Sequence, residues 1–346
     1  MRTLLASLIL IACLNGGRAL AANSTPDPNR LVGCYISMGC WNLLQVNEQF
    51  SELSDSGVNF VIDYALQWPE GPADRDNFDA YMAIARREGI SIGYSLFNAL
   101  EGATPRTSSV QVARALAEVE ALRNEEQIGA WYVHDEILPM LSGVDGTEKY
   151  SLSLGQMRDL YQSIRRIDPD RPQICVWNQL PDRHEMNRRF DSRNYPHGTP
   201  DYLQHDEQFE QSMRSMIRDC CDWVMVDCYP VGAHWLDDGH SIEAISYEVD
   251  ALVRRANELR RPSQPLILVF QSFDWRMYGK GSNSASFPSL EQMRAMVQAG
   301  FNAGADNVLA YSWFDLVRKV DGRSPAGQQR CLADLKQILA ELGSRH

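Results

Sequence analysis

The chain has 346 residues, 44% of them hydrophobic, and a formal charge of -12 from 33 Lys and Arg against 45 Asp and Glu. That length can bury a large core and fits either one α/β barrel or two ordinary domains. The acidic balance repels phosphate backbones and anionic headgroups, which argues against nucleic acid and anionic membranes as partners and favours neutral ligands.

Residues 1–22 read as a secretory signal: a short basic start, an apolar run from Leu4 to Leu14, then Ala19, Leu20 and Ala21, with cleavage expected near Ala21 or Ala22. The run is too short for a membrane-spanning helix, which needs about 20 apolar residues. Leu10 to Cys13 also resembles a lipobox, so a lipid anchor at Cys13 stands as the alternative to plain export. The first reading makes the mature chain secreted or periplasmic, the second a membrane-anchored lipoprotein. Residues 23–30, polar and proline-bearing, form a linker.

From residue 31 onward, β-rich apolar runs alternate with segments of helical period. The runs cover 31–37, 58–65, 90–96, 128–136, 173–178, 222–230, 266–273 and 307–315. Their near-continuous apolar character suits parallel strands covered on both faces. Helical segments follow at 76–89, 110–126, 153–167, 242–261, 290–305 and about 328–342. Eight such runs interleaved with helices predict a single (β/α)8 barrel over residues 31–343. An open doubly wound sheet is disfavoured because no GxGxxG follows the first run.

Seven cysteines lie beyond Cys13: Cys34, Cys40, Cys175, Cys220, Cys221, Cys228 and Cys331. An odd number in a disulfide-permissive compartment leaves at least one thiol free. Most lie in or beside apolar runs and read as small buried hydrophobes, with a Cys34–Cys40 bridge as the alternative.

A barrel carries its active site at the C-terminal ends of its strands. The polar residues closing the runs are Ser37, Asp63, Tyr64, Asn98, Asp135, Glu136, Asn178, Asp227, Tyr229, Gln271, Asp274, Ser312 and Asp315. Tryptophans and tyrosines are interspersed, with Tyr35, Trp131 and Trp177 expected in the core and Trp275 and Trp313 expected as ligand platforms. Carboxylates, amides and indoles together suit a sugar site, because hydroxyls need donors and acceptors while pyranose faces stack on aromatic planes. Two long polar segments, 178–208 and 276–289, could cover such a site.

The motifs "GAWYVHDE", "DWVMVDCYPV", "LILVFQSFDW" and "MVQAGFNAGADNVLAYSWFD" resemble those of secreted glycoside-hydrolase-like barrels related to clan A. The resemblance implies carbohydrate substrates and an acid/base glutamate ending strand four, which maps onto Glu136, with Asp135 in place of the preceding amide. It also implies a nucleophilic glutamate ending strand seven, where this chain has Gln271. An amide cannot form the glycosyl ester of a retaining mechanism. Three explanations stay open: Asp227 or Asp63 supplies the second carboxylate, Asp274 substitutes from further along, or the barrel binds sugars without cleaving them. The expected catalytic pair is Glu136 and Asp227, acting with inversion and needing no cofactor or metal. Asp63, Tyr64, Asp135, Asn178, Tyr229, Gln271, Asp274, Trp275 and Trp313 are the expected substrate contacts. Alternation along the strand turns Asp135 and Glu136 to opposite sides unless the backbone turns, so one is expected at the mouth and the other behind it. A metal-dependent hydrolase using His134, Glu136, Asp227 and His234 is the less favoured class, since neither HxH on the first strand nor HExxH is present.

Overall fold

The computed structural model describes residues 27, 30–69, 71–100, 108–135, 152, 154–178, 180, 206–233, 241–279, 286–318 and 327–344. Eight strands close into one parallel barrel in chain order: β1 (Gly33–Ile36), β2 (Phe60–Asp63), β3 (Ser91–Ser95), β4 (Ile128–His134), β5 (Gln173–Trp177), β6 (Trp223–Cys228), β7 (Leu266–Gln271) and β8 (Asn307–Tyr311). β8 pairs back onto β1 through Gly33 with Leu309 and Cys34 with Ala310. The expected (β/α)8 barrel is the fold observed.

Two buried layers explain why the strands are apolar on both faces. Phe60 and Ile62 of β2, Ile174 and Val176 of β5, and Met225, Ile267 and Val269 fill the barrel interior. The alternate positions, among them Val61, Cys175, Val224 and Leu268, pack outward against the helices. Gly93 on β3 faces a crowded part of the interior, since a Cβ there would lie 2.9 Å from both Ile62 and Phe60 side-chain atoms. A glycine lets those two larger side chains occupy the shared space.

The helices Pro72–Glu88, Ser108–Leu122, Leu154–Ile167, Ile242–Leu259, Leu290–Ala303 and Gln328–Gly343 lie where helical periodicity is read from sequence. Two more, Leu43–Asp55 and Asp206–Asp219, complete the outer layer. Side-chain caps begin several of them: Asn42 accepts from Gln45 N, Ser241 from Ala244 N, and Ser289 forms a capping box with Gln292.

All seven cysteines from Cys34 to Cys331 are free and buried, so the alternative Cys34–Cys40 bridge does not form. Burial raises the thiol pKa at Cys220 and Cys331 to about 12, which keeps them protonated packing groups. No described helix is long and apolar enough to cross a membrane. The signal segment, Cys13, most of the linker and the larger part of both candidate covering segments lie outside the described residues.

Candidate active site at the barrel mouth

At the C-terminal end of the barrel the inward positions become aromatic. Trp275, Tyr229, Tyr311, Tyr35, Tyr64 and Tyr132 form a continuous belt, with successive ring centroids at 6.2, 5.4, 5.1, 5.4 and 6.0 Å. Phe273 closes the belt against Tyr229 and Tyr311 at 5.1 and 5.7 Å. Tyr132 and Tyr311 lie within the motifs quoted above, but nothing in those motifs singles them out as site residues. Their signal is positional: each continues the inward register of its strand to the last turn before the loop.

Asp135 sits within this belt. Its Oδ1 accepts a hydrogen bond from Tyr132 at 2.5 Å and its Oδ2 accepts one from Tyr64 at 3.1 Å. Tyr35 in turn donates to the Tyr132 oxygen at 3.5 Å. Simple alternation from Tyr132 does not predict this, because His134 should share the inward face and Asp135 should point away. A bulge decides otherwise. Tyr132 pairs with Ile174 while His134 pairs with the very next β5 residue, Cys175, leaving Val133 as an extra residue. His134 therefore follows Cys175 outward, and the strand delivers Asp135 to the mouth.

Asp227 occupies an inward position two residues beyond Met225 on β6 and is 7% exposed. Burial first, then the charge of Asp135, pushes the phenols of Tyr64 and Tyr132 well above their ordinary range, and Asp227 adds to both. Tyr229 is shifted upward by burial and then by Asp227. Two carboxylates thus act on one set of phenols. The phenols stay protonated and serve as donors to anything bound there. Two groups at the mouth have hydrogen-bonding capacity left over: the Tyr229 hydroxyl and Asn178 Oδ1 are buried with no partner among the described residues. Buried polar groups are nearly always paired, so such atoms commonly await water or ligand.

Four expected substrate contacts are corrected by their geometry. Asp63 follows Val61 to the outside of the barrel, where its carboxylate accepts from Met38 N and Gly39 N at 3.0 Å, Ala65 N at 2.9 Å and the Tyr81 hydroxyl at 2.8 Å. All four of its lone-pair directions are used, and burial still raises its pKa. It braces the loop after β1 and does not line the mouth.

Gln271 is fully buried, and its amide accepts from Val231 N at 2.8 Å while donating to Val231 O and Phe273 O at 3.0 Å each. Asp274 caps the short helix Trp275–Tyr278 by accepting from Arg276 N at 2.9 Å, and it also pairs with the Arg276 guanidinium. Trp313 is completely buried behind β8, donates to Gln49 Oε1 at 2.6 Å and lies beneath Lys336. It is a core residue and no platform. Trp275 is half-buried in the belt, with its indole N–H donated to Tyr229 O at 3.1 Å.

The tryptophans expected in the core are there, with Trp131 donating to Asp168 Oδ2 at 3.0 Å on the outer face. Tyr35 is also almost completely buried, but it belongs to the mouth network. Glu136 and His234 lie outside the described residues. Among the described residues no cluster of His, Cys, Asp and Glu has the arrangement to hold a metal ion.

No family model and no curated protein matches the chain. Solved structures do. An endo-1,4-β-D-mannanase from Thermotoga petrophila RKU-1 superposes with TM-score 0.58 at 12% identity, over 92% of this chain and 100% of that one. A GH5_18 protein from Bifidobacterium longum subsp. infantis gives 0.55 at 12% identity, over 88% of this chain and 74% of that one. A glycoside hydrolase family 5 protein from Bacteroides vulgatus gives 0.51 at 12% identity, over 88% and 62%. At these identities the shared property is the barrel fold itself.

Proposed function

We propose that this barrel hydrolyses an O-glycosidic bond of a neutral poly- or oligosaccharide. The observation that carries the reading is the placement of Asp227 at a barrel mouth lined by tyrosines on which Asp135 also acts, with the Tyr229 hydroxyl and Asn178 oxygen buried and unpartnered among the described residues. Protonated phenols donate to sugar hydroxyls, Asp135 accepts from them, and the rings pack on pyranose C–H faces. The fold shared with glycoside hydrolases supports the same reading.

In this mechanism, which requires the backbone to turn after Asp135 so that Glu136 shares the mouth with it, Glu136 gives its proton to the leaving oxygen as the bond to the anomeric carbon breaks. Asp227 takes a proton from the water that attacks that carbon from the opposite side. The anomeric centre inverts, which needs the two carboxyl groups about 6.5–9.5 Å apart. Export through residues 1–22, with or without a lipid anchor at Cys13, would bring the enzyme to polysaccharide outside the cytoplasm.

One observation favours a second reading, sugar binding without cleavage: the strand-seven position is an amide wholly committed to backbone. A polysaccharide panel followed by NMR of product anomers separates the two. Hydrolysis with inverted product appearing first, abolished in Glu136→Gln, is the expected result. Parental activity in Glu136→Gln removes the acid assignment, retained product removes inversion, and tight binding with no cleavage of any polymer selects the second reading.

A further inference from the structure

The loop between β1 and the helix Leu43–Asp55 leaves the barrel at the same end as Asp135 and Asp227. It carries Trp41, which is 68% exposed although tryptophan is usually well buried. This exposure is not that of a slack loop. Asp63 grips the backbone N–H groups of Met38 and Gly39 at 3.0 Å each, from a carboxylate that is itself fully enclosed. Gly39 adopts φ +57°, and a Cβ there would lie 2.5 Å from Trp41 Nε1 and 2.7 Å from Ala65 O. Only glycine lets the indole edge fold back onto the loop. Cys40 is buried and Asn42 caps the following helix through Gln45 N at 3.2 Å, so the residues on both sides of Trp41 are held. An indole whose edge lies over Gly39 on a loop held at both ends, with most of its surface open to water at the end of the barrel that carries Asp135 and Asp227, loses little further freedom when a ligand arrives.

We propose that Trp41 is a stacking subsite for a pyranose unit of a carbohydrate polymer, outside the aromatic belt and served by the same bound chain. The inference rests on the carbohydrate reading of the mouth and extends it from the linkage cleaved to the length of the substrate: a chain of several sugars. An indole presents the broadest aromatic face to the C–H surface of a sugar ring, and it does so for neutral chains that the acidic protein does not repel. Leu44, at the start of the next helix, is 70% exposed as well. Tyr247 is equally open, at 70%, but it projects from the middle of the helix Ile242–Leu259 with no comparable loop around it, and it supplies the control.

The test uses full-length protein in the Glu136→Gln background, run in native gels cast with galactomannan, hydroxyethyl cellulose, arabinoxylan or laminarin. At least one polymer should retard the parent. Trp41→Ala should weaken that retardation about tenfold in Kd, corresponding to roughly 1.4 kcal/mol, while Trp41→Phe keeps part of it and Tyr247→Ala keeps all of it. Thermal melting confirms that each variant is folded. With the active chain, Trp41→Ala should raise KM for the polymer by a similar factor. Equal retardation of Trp41→Ala and parent, or no retardation of the parent by any polymer, overturns the subsite. Trp41-dependent retardation without hydrolysis in the active chain removes the hydrolase reading and leaves the subsite standing. Hydrolysis with no dependence on Trp41 does the reverse.

Discussion

The ends of β4 and β7 look alike in sequence, each an apolar strand passing into polar residues, yet the fold uses them in opposite ways. At β4 a bulge at Val133 turns Asp135 into the mouth, where the Tyr132 and Tyr64 phenols donate to it. At the end of β7, Gln271 meets the N–H and carbonyl of Val231, in the loop after β6, and the carbonyl of Phe273, and bonds to all three. An amide is the side chain that can do this, because it donates and accepts at once. The glutamine is therefore more than a missing nucleophile. A polar residue at a strand end is a brace where, as at Gln271, nearby backbone groups take up its hydrogen bonds.

The contrast can be broken most severely at the mouth. Asp227→Asn should lower kcat by about 10²–10⁴-fold with sugar binding largely kept, as expected for loss of a general base. Single-turnover rates and equilibrium binding on the same substrate check this, and an unchanged kcat would remove Asp227 from the chemistry.

At β7 the converse holds. Gln271→Glu should not restore a retaining enzyme, because the new carboxylate would face the Val231 and Phe273 carbonyls with no donor to offer. A loss of roughly 2–4 kcal/mol in urea unfolding is expected. Undiminished stability, or the appearance of retained product, would show that the brace is dispensable.

The bulge itself can be probed by pH. His134 is carried outward into the core, where burial lowers its pKa from 6.5 to about 4 and leaves Nε2 unpartnered among the described residues. The unfolded chain then binds a proton on His134 more readily than the folded one. This histidine should cost nothing above pH 6.5 and remove stability progressively as pH falls from there to about 4. The full loss is on the order of 3 kcal/mol. His134→Leu should flatten that part of the unfolding profile, and an unaltered profile would mean that the ring is hydrated.

The smallest effect belongs to the phenol network. Tyr132→Phe removes the 2.5 Å bond to Asp135 and should cost about 1 kcal/mol of stability. It should also reduce kcat/KM about tenfold, mostly through KM if Asp135 orients a substrate hydroxyl. A pure stability change without a kinetic one would make the network structural only.

Sequence alone determined the barrel, because parallel strands buried on both faces must be apolar nearly throughout and must alternate with amphipathic helices. It also placed the polar residues after such runs at one end of the barrel, where Asp227, Tyr64 and Tyr229 are found at the mouth with Asn178. Tertiary structure alone decided which polar residues are already occupied. Nothing in the order of residues reveals that four donors converge on Asp63, that backbone groups absorb Gln271, or that Trp313 packs beneath Lys336. Those outcomes depend on partners far away in the chain: Tyr81 is 18 residues from Asp63 and Val231 is 40 from Gln271. The single extra residue at Val133, which reverses the facing of Asp135, becomes visible only when β4 is laid against β5, because a bulge is a property of pairing and not of one strand.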